Sequence, residues 1–298
     1  MKNLLYYYYG ISPMYIYNEE ENYYFSINQI KYVFAPVVNK NINLLVDLSN
    51  FLYNKNIMVH TFIINKENNY IVNYNNINYA LLRVNCNDSK KIKLKDIIEF
   101  NNILVNSNSR NYIELWSNEV DDIEEEIIDF NKEYELITDT INYYIGLCEN
   151  AIEYYKDNVN NENVSVSINH LNINYNMTFL DFFNPLNFII DYRVRDISEY
   201  IKSIFFNTLD EERILNIINK LNINKDEASI IFSRLLYPNY YFKMYNEILN
   251  NKVKEEHLNK IIKLSKEYEN LLNNIQQIFK KKYNLPIIDW LTVIKSEK

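Results

Sequence analysis

Glycine is nearly missing from this chain: Gly10 and Gly146 are the two glycines in 298 residues. A P-loop needs two glycines in one short loop, and a dinucleotide-binding fingerprint needs at least two close together. Neither can be built here, and a glycine-rich flap over nucleotide phosphates is absent as well. The charge balance narrows the field further. The 31 Lys+Arg stand against 39 Asp+Glu, a net charge of −8. No surplus of cations exists to displace counterions from phosphates, so nucleic acid is excluded as a partner.

Cys86 and Cys148 are too few for a disulfide framework or a four-thiolate zinc site. Both lie in apolar-periodic stretches and read as small buried hydrophobes. The opening Met1-Lys-Asn-Leu-Leu-Tyr6 lacks the long apolar core and small-residue cleavage site of a signal peptide. No apolar run is long enough to span a bilayer. A chain made in the cytoplasm is expected, and 48% hydrophobic residues suffice for one or two packed domains. The 52 Asn, 43 Ile, 28 Tyr and 25 Lys against 6 Arg point to A/T-rich codons and an A/T-rich bacterium. On that reading the tetrad Tyr6 to Tyr9 and the Asn-rich loops reflect nucleotide bias and carry no functional signal.

The chain changes character along its length. Met14–Tyr17, Tyr23–Ile27 and Lys31–Ala35 are short, aromatic and β-branched, separated by turn-like Glu19–Asn22 and Asn28-Gln29. Ile42, Leu45, Leu48 and Leu52 have helical spacing, and strand-like runs follow at 57–64, 69–74 and 77–84. From residue 94 the pattern is helical, with one stripe from Ile113 through Trp116 to Phe130, another from Ile137 to Ile152, and a third from Leu258 to Phe279. Asp210 and Asn224 precede acidic first turns and read as helix starts, while Pro185 and Pro238 mark breaks. The polar stretch 86–93 reads as a linker. The expected organisation is a β-rich lobe with one helix over 1–88 and a helical lobe over 89–298.

The irregular stretch 164–196 holds the candidate chemistry. Val164 to Ile168 alternates like a short strand and leads to His170, and Phe188-Ile-Ile-Asp191 is an apolar run ending in a carboxylate. A strand, a loop and a strand ending in Asp is how two-lobed kinases present catalytic and metal-binding groups.

A strand-rich lobe followed by a helical one resembles the aminoglycoside phosphotransferase branch of the kinase-like fold. This is an α+β class with a small β-rich lobe and a larger helical lobe. More narrowly, Asn184-Pro-Leu-Asn-Phe-Ile-Ile-Asp191-Tyr-Arg-Val-Arg-Asp196-Ile-Ser-Glu-Tyr-Ile201 resembles the YutH members of the CotS spore-coat family, which share a proline, an aromatic-rich strand and a short Asp-to-Arg-Asp step before a helix. The fold resemblance covers nearly the whole chain. The narrower one covers 184–201.

Carried over residue by residue, the resemblance implies a depleted active site. The phosphotransferase loop is His-x-Asp with an Asn five positions after the Asp. One register puts His170 at the Asp and Tyr175 at the Asn. The other puts Asn172 at the Asp and Met177 at the Asn. Neither supplies a carboxylate to accept a hydroxyl proton, and Tyr and Met are poor magnesium ligands. The third strand has no lysine at the nucleotide-pairing position, although Lys31 stands at its start. Asp191 matches the metal-binding aspartate. Its plain alternative is a carboxylate paired with Arg193 or Arg195. Asp196 matches the aspartate that braces the catalytic loop and caps a helix, with Arg195 beside it in a supporting role.

The expectation is therefore a kinase-like fold without kinase activity and with no cofactor. Such a chain would act as a structural or interaction protein among other spore-coat or cellular proteins. The competing expectation is an active small-molecule phosphotransferase using ATP and Mg²⁺ through Asp191. A third possibility is an adaptor that holds a small-molecule ligand in the inter-lobe cleft without turnover. His170 could act as a general base, but the better reading is a histidine hydrogen-bonded in a loop. His60 alternates with Met58 and Phe62, and His257 lies on a polar helix face, so both read as structural. The acidic run 119–126 reads as a solvated helix face, Lys280–Lys282 as a helix end, and Trp116 and Trp290 as core anchors.

Overall fold

The computed structural model describes residues 1–38, 41–127 and 134–293. Its contacts divide into two units, Met1–Lys93 with His170–Ile189, and Leu94–Asn169 with Ile190–Lys298.

The first unit opens with helix α1 (Lys2–Tyr9) and continues with β1 (Tyr17–Glu19), β2 (Asn22–Ile27), β3 (Ile30–Pro36), α2 (Ile42–Asn54), β4 (Thr61–Ile63), β5 (Ile71–Tyr74) and β6 (Ile77–Arg83). The strands form an antiparallel sheet in the order β1-β2-β3-β6-β4, with β5 paired to β6 as well. Alternation along β2 and β3 sends Phe25 and Phe34 to one face, where they pack with Leu5, Val72, Tyr79 and Leu81. Val33 and Ala35 go to the other face with Leu82, against Tyr24, Phe62, Val84 and Leu186. The Phe34 and Tyr79 rings stack with centroids 4.8 Å apart, a contact that adds about 1 kcal/mol beyond area burial.

Asparagine takes the place of glycine in the turns. Ile27 pairs with Ile30 and Tyr74 with Ile77, so each hairpin closes over two residues. Asn28 and Gln29 have φ of 49° and 67°, and Asn75 and Asn76 have 51° and 64°. Such turns need positive φ at both positions, and asparagine is the residue after glycine that tolerates it best.

Two expectations fail in this unit. One helix is expected here and a second is found: Tyr6 to Tyr9 fall in α1, because the Leu5 side of α1 packs on the sheet and that packing outweighs tyrosine's β preference. Met14 and Tyr15 are not in a strand. They are 82% and 85% exposed, and β1 starts only at Tyr17, where pairing with Tyr24 begins. Without a partner strand an aromatic run has no β structure to join.

The later segment of the first unit contains α6 (Phe179–Phe182) and the start of β8 (Phe188–Tyr192). It is tied back by backbone bonds from Phe179 N–H to the Lys90 carbonyl and from Ile92 N–H to the Met177 carbonyl, each 3.0 Å. β7 (Val166–His170) pairs with β8 in a two-stranded sheet.

The second unit contains α3 (Leu94–Asn101), α4 (Tyr112–Ile127), α5 (Glu135–Asn158), α7 (Arg195–Thr208), α8 (Glu211–Lys220), α9 (Lys225–Leu236), α10 (Asn239–Leu249), α11 (Leu258–Lys263), α12 (Ser265–Tyr283) and α13 (Asp289–Val293). α9 is its centre. Every residue from Glu227 to Leu236 is buried, and α5, α7 and α12 pack around it. A helix enclosed on all sides must be apolar all round or pair its polar groups. Both expected helix starts are found. Asp210 accepts from Arg213 N–H, and Asn224 forms a reciprocal capping box with Glu227. The stripe from Leu258 to Phe279 is broken at Leu264, whose N–H turns back to the Ile261 carbonyl, one residue short of helical spacing. Phe130, placed on the α4 stripe by periodicity, lies outside the described residues.

Candidate functional site

The apolar run of β8 ends at Asp191, fully buried in the second unit. Asp191 Oδ1 accepts from the Tyr112 hydroxyl at 2.7 Å and from the Tyr192 N–H at 2.8 Å. Oδ2 faces the Arg195 Nε at 3.3 Å and the Arg110 Nε at 3.9 Å. No donor reaches Oδ2 with hydrogen-bonding geometry, so its compensation is ionic. The Arg195 Nη1 stands 3.3 Å from Asp196 Oδ1. One buried guanidinium therefore lies against two buried carboxylates.

Helix α7 supplies most of this charge. Asp196 stands in its first turn, where the helix dipole favours an anion. One turn on, Glu199 pairs with Lys202 at 3.0 Å and with Arg234 of α9. The Arg234 guanidinium also lies 4.9 Å from the Tyr112 ring centroid. Asp191, Asp196 and Glu199 are thus balanced by Arg195, Lys202 and Arg234. Burial opposes ionisation of Glu199, but Lys202, Arg234 and Arg195 hold its carboxyl well below the usual range. Burial pulls the Lys202 ammonium down to about 8 against the pull of Glu199. Burial, reinforced by Asp191, pushes the Tyr112 hydroxyl well up despite Arg234, so it remains a donor to Asp191.

Asn169, which the sequence pattern does not single out, joins the pieces. Its Nδ2 donates to the Asp191 carbonyl at 3.0 Å, and its Oδ1 accepts from the Asp196 N–H at 3.3 Å and from Asn101 Nδ2 at 3.1 Å. Arg193, the other arginine beside Asp191 in sequence, turns to Glu227 and forms a bidentate pair.

A magnesium ion needs several oxygen ligands converging on one point. Among the described residues no three His, Cys, Asp or Glu side chains converge in that way. Oδ2 of Asp191, the oxygen without a hydrogen-bond donor, is met by two arginines. This donor set does not fit a divalent cation.

The other expected site residues belong to the first unit. His170 is fully buried, with Nε2 2.8 Å from the Phe182 carbonyl and its ring stacked on Phe182 at 4.4 Å. Asn172 exchanges hydrogen bonds with Asn187, giving its N–H to Oδ1 at 2.9 Å and receiving Nδ2 at its carbonyl at 2.7 Å. Tyr175 lies under the Lys91 ammonium at 5.6 Å. Lys31 is exposed at the start of β3. His60 is buried, with Nε2 2.9 Å from the Leu180 carbonyl and Nδ1 accepting from the Asn85 N–H at 3.3 Å.

A family model described as "Spore coat putative kinase YutH" matches residues 2–275. The chain belongs to the YutH spore-coat family. No curated protein matches this YutH-family chain in sequence. Solved structures do resemble it. An aminoglycoside phosphotransferase from Alicyclobacillus acidocaldarius subsp. acidocaldarius DSM 446 gives a TM-score of 0.65 at 9% identity, over 90% of this chain and 93% of that one. An AMP-bound spectinomycin phosphotransferase gives 0.59 at 11% identity, over 94% and 98%. An amicoumacin kinase in complex with AMP-PNP and Ca²⁺ gives 0.52 at 9% identity, over 96% and 94%. The fold of the YutH-family chain is thus the two-lobed, kinase-like α+β fold of the aminoglycoside phosphotransferases, as expected. At such identities the likeness fixes the fold alone. Among the described residues no helix is long and apolar enough to cross a membrane.

Proposed function

We propose that this YutH-family chain is a non-catalytic, kinase-like protein that acts by associating with other proteins of the spore coat. The observation that carries the reading is the Arg195 guanidinium set against both Asp191 and Asp196. Phosphoryl transfer depends on metal ions that neutralise the developing charge, held by carboxylates. Here the strand-end carboxylate already has an internal cation, and a second arginine, Arg110, stands at its open side. The loop residues His170, Asn172 and Tyr175 supply no carboxylate to accept a hydroxyl proton. The family description supports the spore coat as the place of action.

The test is made in the spore-forming host. A fluorescent fusion is expected to collect at the spore surface late in sporulation, and deletion of the gene to alter the set of extractable coat proteins. A fusion that stays diffuse through spore maturation, together with an unchanged coat protein profile, contradicts the proposal.

A further inference from the structure

The first unit carries an open groove of about 1080 Å³. Its lining combines residues of β1 and β2 with Val84, Asn87 and Asp181. Its charged lining is Glu19, Glu20 and Asp181 against a single Lys31. Its aromatic lining includes Tyr15, Tyr17 and Tyr24. Tyr17 pairs across the strands with Tyr24, their rings 6.3 Å apart, and Glu19 follows on the same face two residues along. Asp181, Glu19 and Glu20 all act on the Tyr24 hydroxyl and, after burial, raise its pKa. Their fields therefore converge on one ring. Met14, Tyr15 and Tyr17 are 82%, 85% and 62% exposed. They form an apolar rim larger than a small amine would cover.

We propose that this groove binds a lysine- or arginine-bearing segment of a partner protein. The cationic heads sit among Glu19, Glu20 and Asp181, and the alkyl stems lie over Tyr15, Tyr17 and Tyr24. Aromatic faces attract such cations, and long basic side chains cover apolar surface while keeping the charge near carboxylates. Three carboxylates repel a phosphate-bearing ligand from the same groove. The proposal does not depend on what the Asp191 cluster does.

The test is fluorescence anisotropy of a dye-labelled hexalysine peptide with the full chain at moderate salt, where non-specific attraction is screened. Glu19→Gln/Glu20→Gln is expected to weaken binding about tenfold, Tyr15→Ala to weaken it as well, and Lys31→Glu to tighten it. The charge-matched variant Glu124→Gln/Glu125→Gln, on the exposed face of α4, is expected to bind like the wild type. All of these positions are exposed, and circular dichroism checks that each variant is folded. Equal losses in the groove and α4 variants would show general attraction to an acidic protein and overturn the proposal. Displacement of the peptide by spermine at equal concentration, with Tyr15→Ala silent, would overturn it in favour of a free polyamine.

Discussion

Arg195 Nε, at the start of α7, lies 3.3 Å from Asp191 Oδ2, near the end of β8, and both side chains are buried. The same guanidinium reaches Asp196. A buried ion pair adds little net stability over an apolar packing, but removing one partner leaves a charge with no compensation.

Arg195→Met is therefore expected to destabilise the chain by about 3–5 kcal/mol, because it takes the buried cation away from two buried carboxylates. Urea unfolding followed by circular dichroism measures it. Adding Asp191→Asn to Arg195→Met should recover part of the loss. A single variant as stable as the wild type would mean that Arg195 does not neutralise this pair.

Burial pushes the His60 imidazole down to about 4 from its ordinary 6.5, against the Leu180 carbonyl and Asp181. The folded state thus keeps His60 neutral where the unfolded chain is already protonated. Stability from this group is full above pH 6.5 and is lost as pH falls through 4, by up to about 3 kcal/mol. Melting temperatures of wild type and His60→Phe between pH 7 and 4 check the sign. The wild type should fall more steeply, and parallel curves would refute the assignment.

Gly146 and Leu209 make a matched pair of tests, with Gly10 as the reference for a helix end at positive φ. Gly10 ends α1 at φ 71°, where a side chain is strained and would meet Lys66 at 3.3 Å. Gly146 lies inside α5 with open space where a Cβ would go. Gly146→Ala should therefore stabilise by about 0.5–1 kcal/mol. Leu209, 54% exposed, ends α7 at φ 54°, a conformation that suits glycine. Leu209→Gly should stabilise by about 1 kcal/mol, by relieving left-handed strain. Denaturant midpoints measure both, and a loss at either position contradicts the backbone reading.

What the amino-acid pattern reveals depends on how local its cause is. Asp210 and Asn224 are legible as helix starts because a cap needs only its own first turn. The choice between Arg193 and Arg195 as the partner of Asp191 stays open in sequence, because Glu227, which takes Arg193, comes from another helix. Tyr112, 79 residues from Asp191, is invisible for the same reason. Asn169 is hidden because β7 reads as alternating, whereas Ser167 through His170 are all buried. The asparagine excess, discounted as nucleotide bias, also has a structural use. Seven of the ten non-glycine residues at positive φ among the described residues are asparagine.

The most direct measurement is isothermal titration of the full chain with ATP and MgCl₂. If Arg195 occupies the electrostatic place of the metal, no saturable heat is expected for the wild type or for Asp191→Asn. Saturable, magnesium-dependent heat in the wild type that disappears in a folded Asp191→Asn would contradict the non-catalytic reading and return Asp191 to metal binding.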